Sequence, residues 1–161
     1  MIDFHMLYQR YAPQVHRFAQ FLCGDASLAD DITSETFVRV WTARGEIREN
    51  TVKAYLFTIA RNIYRDHLRR NRRLHELQES LPDASPGPQI RAEHKAELAN
   101  VLAALQRLAE VDRAALLMRV QEEMSYEEIA QTLNLPVTTV KVKVHRARLK
   151  LMKASELFQE V

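Results

Sequence analysis

Residues Ser125–Met152, SYEEIAQTLNLPVTTVKVKVHRARLKLM, decide how the chain is read. Ser125 stands three residues before Glu128. That is the spacing of a capping box, in which each side chain satisfies a backbone N–H left free by the first helical turn. A helix is predicted to start there, with Ile129, Ala130 and Leu133 on one face. Asn134-Leu135-Pro136 ends it, because proline disfavours helical geometry in the residue before it and itself fits only the start of a new helix. So short a break between two helices is the turn of a helix-turn-helix.

Beyond the break, Val137, Val140, Val144, Ala147 and Leu151 recur at alternating steps of three and four, which puts them on one buried stripe of a second helix. The opposite side carries Thr138, Val142, His145, Arg146 and Leu149, flanked by Lys141, Lys143, Arg148 and Lys150. Residues 137–153 hold six Lys/Arg and no acid, while the whole chain has 23 basic and 21 acidic residues and a net charge of only +2. The basic charge is therefore local. A solvated amphipathic helix could carry the same run. Coupled to a capped helix and a short turn, the run points to a helix laid on DNA.

The 161 residues are 47% hydrophobic, enough for packed cores, yet no apolar run approaches a transmembrane span. The opening MIDFHMLYQRYAPQ lacks the apolar centre of a signal peptide, so a cytoplasmic protein without membrane insertion is expected. The single Cys23 has no partner for an internal disulfide and no metal-ligand spacing around it, and is expected as a small buried side chain. No cofactor is expected. With three glycines and no alternating β-branched runs, the fold class is all-α.

Upstream, Phe4, Leu7, Tyr8, Tyr11, Val15, Phe18, Ala19 and Leu22 recur at helical steps, giving one long helix or two short ones around Pro13. Gly24-Asp25-Ala26 interrupts them, and Ser27 with Asp30 is expected to cap a helix through Leu28, Ile32, Phe37, Val40 and Trp41. Asp30, Asp31 and Glu35 in its first turns suit the helix dipole, and they fit either a plain solvated face or a surface offered to a protein partner. Residues Ala43–Thr51 read as a loop.

From Val52 a helix of about twenty residues is expected, with Leu56, Ile59, Ala60, Ile63 and Leu68 buried. Its second half, RNIYRDHLRRNRR, sets Arg61, Arg65, Arg69, Arg70, Arg72 and Arg73 against the single acid Asp66, interleaved with Asn62, Tyr64 and His67. This is a second basic patch, of a composition suited to a nucleic-acid backbone and unstacked bases. QESLPDASPGPQIR, residues 78–91, holds three of the five prolines and continues neither neighbouring helix. The expected organisation is therefore two small helical domains, residues 1–75 and 95–161, joined by a flexible Pro-rich linker over 76–94. About four helices form the second domain, with the helix-turn-helix last.

Two helical domains with separate basic patches are also where the motifs become recognisable. In LYQRYAPQVHRF, GDASLADDITSETFVRVW, KAYLFTIARNIYRDHLRRNRR, LAALQRLAEVDRAALLMRV and SYEEIAQTLNLPVTTVKVKVHRAR, taken in this order, the chain resembles the extracytoplasmic-function sigma factors of bacterial RNA polymerase over nearly its full length. The resemblance implies a dissociable, non-enzymatic subunit that binds core RNA polymerase, directs it to promoter DNA and helps open the start site, with an anti-sigma factor as a further partner. It implies that Asp31, Glu35 and Phe37 contact the polymerase. It places Arg61, Asn62, Arg65, Asp66 and Arg69, with the 43–53 loop, at the upstream-of-start element, where one base is extruded. It assigns Thr139, Lys141, Val142, His145 and Arg146 to the distal promoter element. The rival reading is a helix-turn-helix activator or repressor whose first 75 residues serve dimerisation or sensing.

Overall fold

The computed structural model describes residues 3–43, 48–77 and 93–159, and among these every regular element is helical. The N-terminal unit is α1 (Phe4–Cys23), α2 (Ala26–Ala43) and α3 (Val52–Leu77), the last entered through a 3-10 turn at Glu49–Thr51. The C-terminal unit is α4 (Glu93–Gln106), α5 (Glu110–Val120), α6 (Tyr126–Leu133) and α7 (Val137–Gln159). Helices α3 and α4 each run two residues past the expected limits of the linker, and the proline-rich residues 78–92 lie outside the described residues.

Of the two possibilities for the first stretch, the chain adopts one continuous helix with Pro13 inside it. Pro13 is exposed while Tyr11 and Val15 on either side are buried, so burial of the flanking turns holds the helix together across the missing backbone donor. The helix ends at Gly24, whose φ of 73° is the left-handed conformation that glycine adopts without a Cβ penalty. A Cβ there would also lie 3.1 Å from the Gln106 side chain.

The cap of α2 is Asp25, not Ser27: Asp25 Oδ1 accepts from the backbone N–H of Ser27 at 2.9 Å and of Leu28 at 3.2 Å. An acidic side chain directly after the left-handed glycine reaches two free donors at once, and this fixes the helix start two residues earlier than Ser27 would. Phe18 and Phe57 meet at 4.7 Å between ring centroids in the core of this unit, with Leu7, Leu22, Ile32 and Leu56 fully buried nearby. Residues 69–77 of α3 are exposed throughout, so its basic end projects past that core.

In the C-terminal unit the capping box forms as expected: Ser125 Oγ accepts from the Glu128 N–H and Glu128 Oε1 from the Ser125 N–H, both at 3.1 Å. Asn134 closes α6 with φ 55°, the left-handed position asparagine tolerates better than most residues. Val140, Val144 and Ala147 are buried, with Val137 and Leu151 half-buried beside them. The inward stripe of α7 is thus the one its spacing predicts.

The two units pack on each other, α1 against α4 and α5 and α3 against α6, and their cores form one continuous apolar cluster. Charged groups cross this junction. Arg61 on α3 pairs through Nε and Nη2 with both carboxylate oxygens of Glu110, each at 2.8 Å. Arg17 on α1 holds Glu122 in the same two-pronged way, at 3.0 and 2.8 Å, and Lys53 Nζ donates to the Glu122 carbonyl at 3.1 Å. Glu122 is presented by the turn after α5, where Glu123 has a left-handed φ of 55° and Met124 N–H returns to the Met118 carbonyl at 3.0 Å.

Candidate nucleic-acid interface

On α7 the residues expected to read DNA share one solvent-facing side. Lys141, Val142, His145 and Arg146 are exposed and Thr139 is half-buried at its edge. Val142 keeps 49% of its surface open to solvent, an apolar group on a basic face that suits contact with a thymine methyl. Lys141 Nζ lies 5.5 Å from the centre of the Tyr126 ring, and Arg119 covers the same ring at 4.3 Å. The cation–π contact draws Lys141 toward the start of α6, whereas His145 and Arg146 are exposed. Lys143, on the flank, is turned away and bonds Asp112 at 3.3 Å, tying α7 to α5.

On α3 the expected residues divide. Asn62, Arg65 and Arg69 are exposed, with Arg70, Arg72 and Arg73 continuing the cationic run toward the projecting end. Asp66 is half-buried and lies 3.7 Å from Arg69, too long and too exposed to neutralise the patch. Arg61 is set apart from them. It is buried in the junction with both carboxylate oxygens of Glu110 on its guanidinium. Of the 43–53 loop, residues 44–47 lie outside the described residues, and Lys53 belongs to the first turn of α3, at the junction.

On α2, Asp31 and Glu35 are exposed, Glu35 pairing with Arg39 one turn on at 2.8 Å, while Asp30 is taken by His16 of α1 at 2.8 Å. Phe37 is not on the surface: it is 3% exposed and supports an aromatic group, with Tyr8 at 5.0 Å and Phe4 at 6.4 Å. The surface those rings support is an open cleft of about 520 Å³ lined by Phe4, Tyr8, Ser34, Phe37, Val38 and Trp41. Trp41 is 64% exposed, where helical periodicity alone places it in the core. The exposed face of α2 that carries Val38 and Trp41 three residues apart, with the small Ser34 one turn before, is the sequence signal for this cleft.

Burial pushes the Cys23 thiol up from its ordinary 9.0 to about 11, against a backbone contact to Asp25 that lowers it. Tyr64 is likewise raised by burial. Its hydroxyl accepts from Arg113 Nη2 at 3.0 Å, and the charge of Arg113 partly offsets the rise. Neither group faces the exposed basic surfaces, so neither belongs to the candidate interface.

The pattern of Sigma-70 region 2 matches residues 7–74, and that of Sigma-70, region 4 matches residues 98–151. The sequence is 34% identical to an ECF RNA polymerase sigma factor, SigE of Mycolicibacterium smegmatis, over 90% of this chain, and spans 58% of that relative's length. It is 33% identical to the ECF sigma factor EcfG of Rhodopseudomonas palustris, covering 86% of this chain and 77% of the relative. The fold is similar to that of the sigma factor RpoE of Bartonella quintana, solved with the anti-sigma factor NepR, at a TM-score of 0.83 and 26% identity over 96% of this chain and 97% of that one. A dimerisation or sensing domain in the first 75 residues is not favoured, because region 2 of a sigma factor occupies them. With both halves matched and such relatives spanning most of its length, the chain belongs to the ECF sigma factors of the sigma-70 family.

Proposed function

We infer that the protein is a dissociable RNA polymerase subunit that selects promoters in the cytoplasm, contributing binding and strand separation and no catalysis of its own. The observation that carries this reading is the presence of two exposed cationic surfaces on different units, Lys141, His145 and Arg146 on α7 and Asn62, Arg65 and Arg69 on α3. One helix of the first kind suits duplex DNA, read through base edges in the major groove. A helix of the second kind, with an amide among arginines, suits a separated strand, because an extruded base needs hydrogen-bonding groups and its backbone a cationic track.

Core polymerase docks on α2, which exposes Asp31 and Glu35 and contributes Ser34, Val38 and Trp41 to the cleft, with Phe37 supporting the cleft from beneath. A large exposed aromatic beside acidic groups supplies both the apolar anchor and the charge that partners of basic, amphipathic surface require. An anti-sigma factor is a further partner of the chain, as NepR is of the related sigma factor RpoE solved with it.

Run-off transcription with purified bacterial core polymerase and fragmented genomic DNA tests the reading. Discrete transcripts that require this protein are expected, and their start sites give the promoter. A protein that shifts duplex DNA by itself yet never copurifies with core polymerase would instead be a free-standing regulator.

A further inference from the structure

Residues 137–153 carry six Lys/Arg, and Lys143 is set apart from the other five. Lys141, Arg146, Arg148, Lys150 and Lys153 are exposed. Lys143 keeps only 24% of its side chain open and, alone of the six among the described residues, has a carboxylate in reach, Asp112 Oδ1 at 3.3 Å. Its place on the helix is not remote from the DNA-facing side. It lies one turn after Thr139, one turn before Arg146 and two before Lys150, on a flank of the kind that meets the phosphate wall when a helix is seated in a major groove. A lysine left free at that edge would find a phosphate oxygen.

Asp112 stands in the first turn of α5, where the helix dipole favours an acid, and its side chain is 11% exposed. Adhesion of α7 to α5 does not need the pair. Val140, Val144 and Ala147 of α7 already share an apolar cluster with Ala114, Ala115 and Met118 of α5. An ion pair so far withdrawn from water is nearly balanced between Coulomb gain and lost hydration. What the pair changes is where one positive charge can go.

We propose that Asp112 is a positioning residue for DNA binding: it holds Lys143 back against α5 and so withholds one sequence-independent phosphate contact from the recognition helix. This rests on the reading of α7 as the helix that lies on duplex DNA. Phosphate contacts strengthen binding to every duplex alike and carry no sequence information. With one contact fewer, affinity for all duplexes falls by a common factor. At a fixed polymerase concentration matched promoters then fill while poorly matched DNA stays empty, and base contacts from residues such as Arg146 decide occupancy.

The test is a salt series of binding to a promoter duplex and to a scrambled duplex, run with polymerase carrying the full chain and with the full chain alone. Asp112→Asn frees Lys143 without changing the size of the side chain that held it. The slope of log affinity against log salt should steepen by about 0.9 on both duplexes, so that the binding lost on doubling the salt grows by about twofold. Affinity at low salt should rise by the same factor on both. Asp112→Asn combined with Lys143→Gln should return the slope to that of the unaltered chain, a reversal that a merely structural role of Asp112 would not produce. Lys143→Gln alone should move the slope by less than about half that step, because this lysine makes no phosphate contact while Asp112 holds it.

An unchanged slope in Asp112→Asn overturns the proposal, as does a steepening that survives Lys143→Gln. A full step lost in Lys143→Gln alone would place Lys143 on the phosphates from the start and overturns it equally, whether or not Asp112→Asn folds. Failure of the sigma reading shows separately, as absence of promoter-directed transcripts from the unaltered chain with core polymerase. A chain that binds duplex DNA without polymerase still reports both slopes.

Discussion

Arg113 of α5, buried at 4% exposure, donates from Nη2 to the Tyr64 hydroxyl of α3 at 3.0 Å and from Nη1 to the carbonyls of Leu108 and Leu105 at 3.0 and 3.3 Å. One guanidinium thereby satisfies the free end of α4 and touches the other unit. Its Nε has no partner, so part of the cost of burying this charge is not recovered. Tyr64→Phe should cost about 1 kcal/mol, the net worth of one hydrogen bond. Arg113→Met should cost more, about 2–3 kcal/mol, because the two carbonyls lose their donor as well. Urea denaturation of both variants gives the comparison, and an Arg113→Met cost no larger than that of Tyr64→Phe would contradict the capping role.

The reciprocal bonds between Ser125 and Glu128 fix where α6 begins. Ser125→Ala should destabilise the protein by about 1 kcal/mol. At Asn134, whose φ is 55°, substitution by alanine should also destabilise while glycine is tolerated. Thermal melts of the three variants, followed by circular dichroism, check the order.

Arg146 is exposed at the centre of the α7 face with no acidic partner among the described residues. Arg146→Ala should weaken promoter binding by about 1–3 kcal/mol if the side chain pairs with a base in two-pronged fashion. Binding to promoters altered one base pair at a time shows which base is released from discrimination. A uniform loss on every sequence would assign Arg146 to a phosphate instead.

Asn62 lies on a different unit from α7, and the two surfaces should separate functionally. Asn62→Ala should leave closed-complex formation by the polymerase nearly intact and reduce promoter opening, since extruding a base costs a few kcal/mol that the pocket must return. Filter binding reports the first step and permanganate reactivity of unpaired thymines the second. Joint loss of both, or of neither, would remove Asn62 from strand separation.

Cys23 carries the pH dependence that the structure makes explicit. Burial raises its folded pKa from 9.0 to about 11, so the folded chain holds the thiol proton more tightly than the unfolded chain does. The stability this contributes is full below pH 9.0 and is lost as pH rises toward 11. Iodoacetamide at pH 8 should label the native chain about a hundredfold more slowly than the urea-unfolded chain, in proportion to the thiolate present. Cys23→Ala should flatten stability across that alkaline window.

What could be read from the sequence alone was set by short-range physics. The Ser125 cap, the break at Asn134-Leu135-Pro136, the stripe through Val140, Val144 and Ala147 and the exposed side bearing Val142, His145 and Arg146 all depend on neighbours within a turn or two, and spacing encodes them directly. Choices between near-equal local options were made by the tertiary structure: Asp25 rather than Ser27 as cap, and one helix through Pro13 rather than two. Periodicity marks Phe37 and Trp41 alike as apolar on one helix, and only the packing of Phe4 and Tyr8 beside them sends one inward and leaves the other on the surface.

The junction was decided by tertiary structure alone. Arg61 meets Glu110 across 49 residues and Arg17 meets Glu122 across 105, and no periodicity or cap relates either pair. An arginine read from its own helix is one more cation on a basic face. Its pairing depends on how the two units pack on each other, which is a property of complementary surfaces and of no local stretch of the chain.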